Sequence, residues 1–475
     1  MRREVGSLFS SSVVLRALSP QLHRRMAIWG IISSLLLIAA APPSATAAVP
    51  GASALGMEIV GSNDLGGRGF NGDVWVHKRA AYVGQWGFGR TDGPRHCPSG
   101  SATGVRVVDV SDPADPRVIA TLQNPAGTSA EDMQVITYTG GPAAGRDIAF
   151  VGIQACERVS DAPRGLQIFD VTDPAHPSEI GFLSTPAVFG VHEFWVTPRS
   201  DGRVIGILAV PFSMLRDDQN PKRGDVRIVD LSDPAYPVEL SDWSSNREGL
   251  TSNAPFEGMG CTVLTYGHAA TTNAAGTIAY VAHWDLGTVI LDITDPAAPR
   301  YLGKTPYPAN AEGDGHSGDL TGDERYLLHT DEVLPPTGAC PGANLQLEKG
   351  WGYVRVFDVS DPARPIQVGQ YKTPNSQSPS NFRSGDYTAH NPVVVGNKAY
   401  VSWYSDGVRV LDISDPTRPL EIAHLVPPPA KDPHHVVGYV TEIWGVVVDD
   451  RGCVFLSDMN FGLYIVRETS NPACA

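Results

Sequence analysis

Short apolar runs broken by proline-rich turns recur along the chain. The clearest copy is VRVLDISDPTRPLEI, from Val408 to Ile422. Five others follow the same pattern: VRVVDVSDPADPRVI from Val105, LQIFDVTDPAHPSEI from Leu166, VRIVDLSDPAYPVEL from Val226, VILDITDPAAPRYL from Val289 and VRVFDVSDPARPIQV from Val354. The residues before each Ser or Thr are dense in Val and Ile and alternate only weakly with polar ones, which predicts a strand covered on both faces. Asp-Pro ends that strand. In Asp415-Pro416 the proline presets φ at the second turn position, and the aspartate can accept from backbone N–H groups two residues on. Pro419 then opens another strand with Glu421 inside it, a pattern suited to an outermost strand, where proline is tolerated and charge discourages edge pairing. Each copy predicts a β-hairpin.

Two weaker strands precede each hairpin. Before the sixth copy they read HNPVVVGNKAYV from His390 to Val401, with Gly396-Asn397 as a tight turn. Comparable pairs run over 74–83, 133–151, 194–207, 269–281, 317–328 and 443–456. Every unit thus supplies four antiparallel strands. The aspartates before the turns (Asp109, Asp170, Asp230, Asp292, Asp358, Asp412) fall 54 to 66 residues apart, which fits propeller blades better than a solenoid. At the C-terminus, Gly462–Val466 reads as a seventh third strand with no hairpin after it; near the N-terminus, Met57–Gly61 reads as a spare fourth strand. The prediction is an all-β, seven-bladed propeller with blades near 71–122, 131–183, 191–243, 266–303, 316–371, 389–425 and 440–467, the last completed by 57–61.

The repeated unit resembles the LVIVD repeat of exported and surface propellers of bacteria, and the resemblance covers nearly all of the chain after residue 47. It implies a propeller and, by itself, no activity.

Composition narrows the setting. The chain has 475 residues, 49 glycines, 39 prolines and a net charge of −15, an acidic balance that argues against binding a phosphate backbone. Residues 1–47 read as an export leader: Arg24-Arg25, an apolar run over 27–41 shorter than the ~20 residues needed to span a bilayer, then Ala45-Thr46-Ala47 as a cleavage site. Met26 is an alternative start. The reading is a secreted or surface monomer, residues 48–475 forming one propeller with no later transmembrane segment. Cysteines in an exported chain predict disulfides, and matching the propeller faces on which they fall gives Cys97–Cys156, Cys261–Cys340 and Cys453–Cys474.

Aligned by their turns, the first strands begin with Asn71, Asp132, His192, His268, His316, His390 and Glu442. In a propeller this position lies at the axis, on the face that carries the long connections 84–104, 152–165, 210–225, 329–353 and 241–266. Four histidines there could hold one Fe, Cu or Zn ion, with Glu442, Glu193 and Asp132 orienting the rings. Repetition also explains them, as one polar lining residue copied four times. Two functions follow. One is a binding scaffold whose loop face takes a protein, glycan or small molecule. The other is a metal-dependent oxidoreductase; its layout resembles carotenoid cleavage oxygenases, propellers with four axial histidines on iron, though none of their sequence motifs is present.

Overall fold

The two aspartates of each repeated turn lock the hairpin. Asp109, Asp170, Asp230, Asp292, Asp358 and Asp412 each accept from the N–H two residues on, at 2.8–3.0 Å. The aspartates before the prolines do the same at 2.9–3.2 Å. A side-chain acceptor fixed in this way closes the turn without any partner from the rest of the fold.

A computed structural model describes residues 52–87, 97, 103–156, 162–185, 190–211, 223–251, 264–308, 311, 313–333, 350–378 and 384–474. All of them fall within one unit, Ala48–Ala475; Met1–Ala47, Cys261 and Cys340 lie outside the described residues. Every regular element among them is a strand, and no helix is long and apolar enough to cross a membrane. The architecture is a β-propeller. Its repeating group is clearest in Phe194–Pro198, Val204–Ala209, Val226–Asp230 and Val238–Trp243, paired antiparallel in that order. The same order recurs in Ala269–Thr272 to Arg300–Lys304 and in Gly315–Leu320 to Ile366–Tyr371. The groups Asn71–His77 to Arg117–Leu122 and Thr128–Thr137 to Ser178–Ser184 are joined by one pairing, Gln85 with Ala130. Pro392–Val395 to Leu420–Val426 gains a fifth strand, Ser53–Leu55, on its outer edge.

Burial follows strand order. Third strands such as Val408–Asp412 are buried at nearly every position, whereas fourth strands expose Val238, Ile366 and Leu420. One cavity of about 190 Å³ is lined by the first strand of every group, through residues such as Asp73, Asp132, Glu193, Ala270, Ser317, Asn391 and Val446.

The termini meet in one sheet. Met57–Asn63 pairs antiparallel with Gly462–Glu468, from Met57 opposite Glu468 to Asn63 opposite Leu463, and the sheet continues through Val454–Asp458 to Ile443–Val448. This N-terminal strand behaves like the other fourth strands in two further ways. Its pairing is interrupted by a bulge at Ile59/Gly61, as theirs are at Glu179/Gly181 and Ile290/Leu291. Gly61 also lies under the Pro113 carbonyl of the next group's turn, where an added Cβ would sit 2.1 Å from the oxygen. Gly181 under Pro234, Gly303 under Pro362 and Gly369 under Pro416 repeat this, at 2.2–2.4 Å. Cys453 and Cys474 are bonded in the same region, and Cys97 bonds Cys156.

Candidate functional site

Strand register decides which residues share a level at the hub. Taking as reference the residue three places beyond the one opposite each repeat aspartate, the first-strand partners are Val74, Met133, Phe194, Ala270, Gly318 and Pro392. Two residues before these stand Gly72, Glu131, His192, His268, His316 and His390. The expected tetrad does share one level, but Asn71 and Asp132 are each one residue off it. Bulges interrupt this stretch in the first two groups, between Asn71 and Val74 and between Ala130 and Met133, and also in the fifth, between Gly315 and Ser317, where His316 keeps its level. A similar bulge at Ile443/Gly445 brings Trp444, not Glu442, to the cluster.

These side chains touch in sequence around the axis. Nδ1 of His192 lies 2.5 Å from Oε2 of Glu131, and its Nε2 is 2.9 Å from Nε2 of His268. Ring centroids are 4.2 Å apart for His268 and His316, 3.9 Å for His316 and His390, and 4.5 Å for His390 and Trp444. Trp444 Nε1 then donates to Glu131 Oε1 at 3.1 Å, across the space that Gly72 leaves open. A Cβ on Gly72 would meet Glu131 Cγ at 3.1 Å. All four histidines are buried.

Two carboxylates reach the histidines from either side. Glu193 Oε1 is 3.5 Å from Nε2 of His316 and 4.0 Å from Nδ1 of His268, and Glu332 Oε2 is 3.8 Å from Nε2 of His316. Tyr404 donates to Glu332. It also packs edge-on to His390, while Trp284 covers His268 at 5.1 Å. Both aromatic residues carry positive φ, +37° and +28°, a costly backbone state that holds them over the cluster.

Burial dominates the electrostatics. It holds His268 and His316 well below the ordinary imidazole pKa, helped by neighbouring imidazoles, and pushes His390 to about 3. Burial would lower His192 too, but the Glu131 carboxylate outweighs it and its pKa is raised. Glu193 is raised well above the carboxylate range and Glu332 to about 7, both chiefly by burial. The arrangement offers three imidazoles held toward the neutral form, with oxygen donors beside them, in a buried site, a combination that suits a transition ion. Donor atoms lie within 4.8 Å of one another in three overlapping groups: His192, Glu193 and His268; Glu193, His316 and His390; and His268, His316 and Glu332.

Of the other expected orienting residues, Glu193 stands in the cluster. Asp132 accepts from the Phe194 N–H, and Glu442 accepts from Ser405. Glu131, Glu332 and Trp444 were not legible as site residues. The one signal for Glu332 is its place in the polar run His329-Thr330-Asp331-Glu332 at a strand end. His329 itself belongs to a separate network with Thr288, Tyr307 and Asp331.

The LVIVD repeat profile matches residues 147–185, 222–243, 266–305, 349–373 and 388–425. No curated protein matches the chain in sequence. Among solved structures, the chain resembles the Cps50 (Swd1) β-propeller domain of Myceliophthora thermophila, at 12% identity over 87% of this chain and 100% of that one, TM-score 0.47. It also resembles the periplasmic gluconolactonase PpgL of Pseudomonas aeruginosa, at 15% identity over 78% and 94%, TM-score 0.48. An ancestral GH74 enzyme aligns at 12% identity over 85% of this chain and 48% of that one, TM-score 0.50. At these identities the likeness is one of fold alone. The matched repeats and the hairpins built from them assign the chain to the LVIVD-repeat family.

Proposed function

We propose that the chain is an exported, seven-bladed propeller, completed by its N-terminal strand, that works as a binding scaffold through its loop-bearing face. The observation that carries this reading is the difference between the two ends of the strands. At one end the repeated turns are short, alike and pinned by aspartates. The other end carries the longest connections, including those after Gln85, Ala209, Trp243 and Asp331. A rigid frame with variable loops at one end is how binding surfaces are usually built. The bulge and the Gly61 contact of Met57–Asn63 support the count of seven, and the two disulfides fit an oxidising compartment. The partner is a protein, glycan or small molecule.

The test uses immobilised protein against a glycan array and against exported proteins of the source cell. A ligand should bind saturably, lose its binding when residues 212–222 are replaced by a short Gly-Ser link, and keep it when Ala297 and Ala363 on the opposite turns become Arg. Binding that survives the loop replacement and is lost with the turn substitutions overturns the face assignment.

A further inference from the structure

We propose that the hub cluster binds one divalent first-row transition ion, held among His268, His316 and His390 with Glu193 and Glu332 as oxygen donors, and that Glu131 and His192 set the tautomer of His268. Three observations carry it. The first is spacing. Bonds of about 2.1 Å place two ligands of a tetrahedral ion about 3.4 Å apart. The His316–Glu193 and His316–Glu332 separations are 3.5 and 3.8 Å, and the His268–Glu193 separation is 4.0 Å. Side-chain rotation alone can bring these atoms onto one ion.

The second is what the cluster lacks. His268 Nδ1, His316 Nδ1, both nitrogens of His390 and Glu193 Oε1 are buried without a hydrogen-bond partner among the described residues. A buried polar atom left without a partner costs about 1–3 kcal/mol. Other such atoms are scattered through the described residues, Gln85 Oε1, Thr185 Oγ1 and Arg409 Nε among them, but at the hub five fall in one small volume. An ion would take up His268 Nδ1, one nitrogen of His390 and Glu193 Oε1 together, and two carboxylates would balance its charge.

The third is direction. Nδ1 of His192 lies 2.5 Å from Oε2 of Glu131, a separation that a proton on Nδ1 accommodates. An ion on His268 Nδ1 requires the His268 proton on Nε2, where neutral His192 accepts it through its own Nε2 at 2.9 Å. The Nδ1 lone pair of His268 is thereby left free and faces Glu193. A carboxylate acting through an imidazole on a ligating imidazole is the outer-shell arrangement that fixes ligand orientation at metal sites. It accounts for a pairing that a plain polar lining does not require.

The test uses tag-free full-length protein, stripped with a chelator in mild denaturant and returned to buffer with Co²⁺ alone. Wild type should bind one equivalent, with visible ligand-field absorption and a raised melting temperature. His316→Gln should abolish binding. Glu332→Gln, which keeps an acceptor for Tyr404, gives a second reading should His316→Gln fail to fold, and should weaken binding at least tenfold. His192→Gln should weaken it about 10–100-fold while leaving the absorption in place at saturation, as expected of a positioning residue. Folded wild type that takes up no Co²⁺, or binding unchanged in Glu332→Gln and His192→Gln, overturns the proposal and leaves a polar hub.

Discussion

Met57→Ala tests whether the N-terminal strand is a working part of the last sheet. Met57 is 3% exposed and shares one apolar cluster with Tyr400, Val410 and Leu425 of the preceding group and with Val446, Leu456 and Val466 of its own. The side chain therefore wedges two sheets together. Truncating it removes about three carbon-sized groups from a packed interior, about 2 kcal/mol of transfer free energy. The cavity left behind brings the usual cost of a buried Met→Ala to about 2–5 kcal/mol. A terminal strand can relax inward, so about 2–3 kcal/mol is expected. Ile59, two residues on, is 41% exposed, and Ile59→Ala should cost less than about 1 kcal/mol. Guanidinium unfolding followed by tryptophan fluorescence compares the two variants with wild type under equal slope. Equal midpoints for Met57→Ala and Ile59→Ala would refute the reasoning, because a loosely lying strand would not distinguish a buried position from an exposed one.

Three further outcomes follow from the same geometry. Gly61→Ala forces a Cβ against the Pro113 carbonyl and should destabilise by about 1–3 kcal/mol, while Gly140→Ala, with open space around it, should be near neutral; equal effects would count against the contact between the last and first sheets. Replacing Cys453 and Cys474 by alanine opens a loop of 21 residues' separation and should cost about 3 kcal/mol, read as a lower unfolding midpoint without reductant. Burial raises Asp458 from 3.8 to about 6, against hydrogen bonds from the Glu442, Asn460 and Phe461 N–H groups. Because the folded value lies above the unfolded one, its contribution is fully present below pH 4 and is lost as pH rises through 6. The stability difference between wild type and Asp458→Asn should therefore shift toward the variant by up to about 3 kcal/mol between pH 4 and 7, and a difference independent of pH would sink the assignment.

What could be read from the sequence divides along physical lines. The repeated hairpins were legible because their causes are local: β-branched runs make the strands, and an aspartate before proline closes each turn with its own side chain. The closing strand was legible by subtraction, since Gly462–Val466 lacked a fourth strand and Met57–Gly61 lacked a sheet. The hub was legible only in part. Its four histidines follow the repeat, but Glu131 and Trp444 stand with them where Asp132 and Glu442 were expected, on bulged first strands whose register the turns do not reveal. Here repetition stops being a sufficient explanation. Copying one polar residue accounts for four histidines at one level and says nothing about the other three places. Those places hold a carboxylate that meets His192, an indole that meets His390 and donates to the same carboxylate, and a glycine whose missing side chain lets the two meet. Residues that complete one another around the histidines are what the proposed ion site requires and what copying alone does not supply.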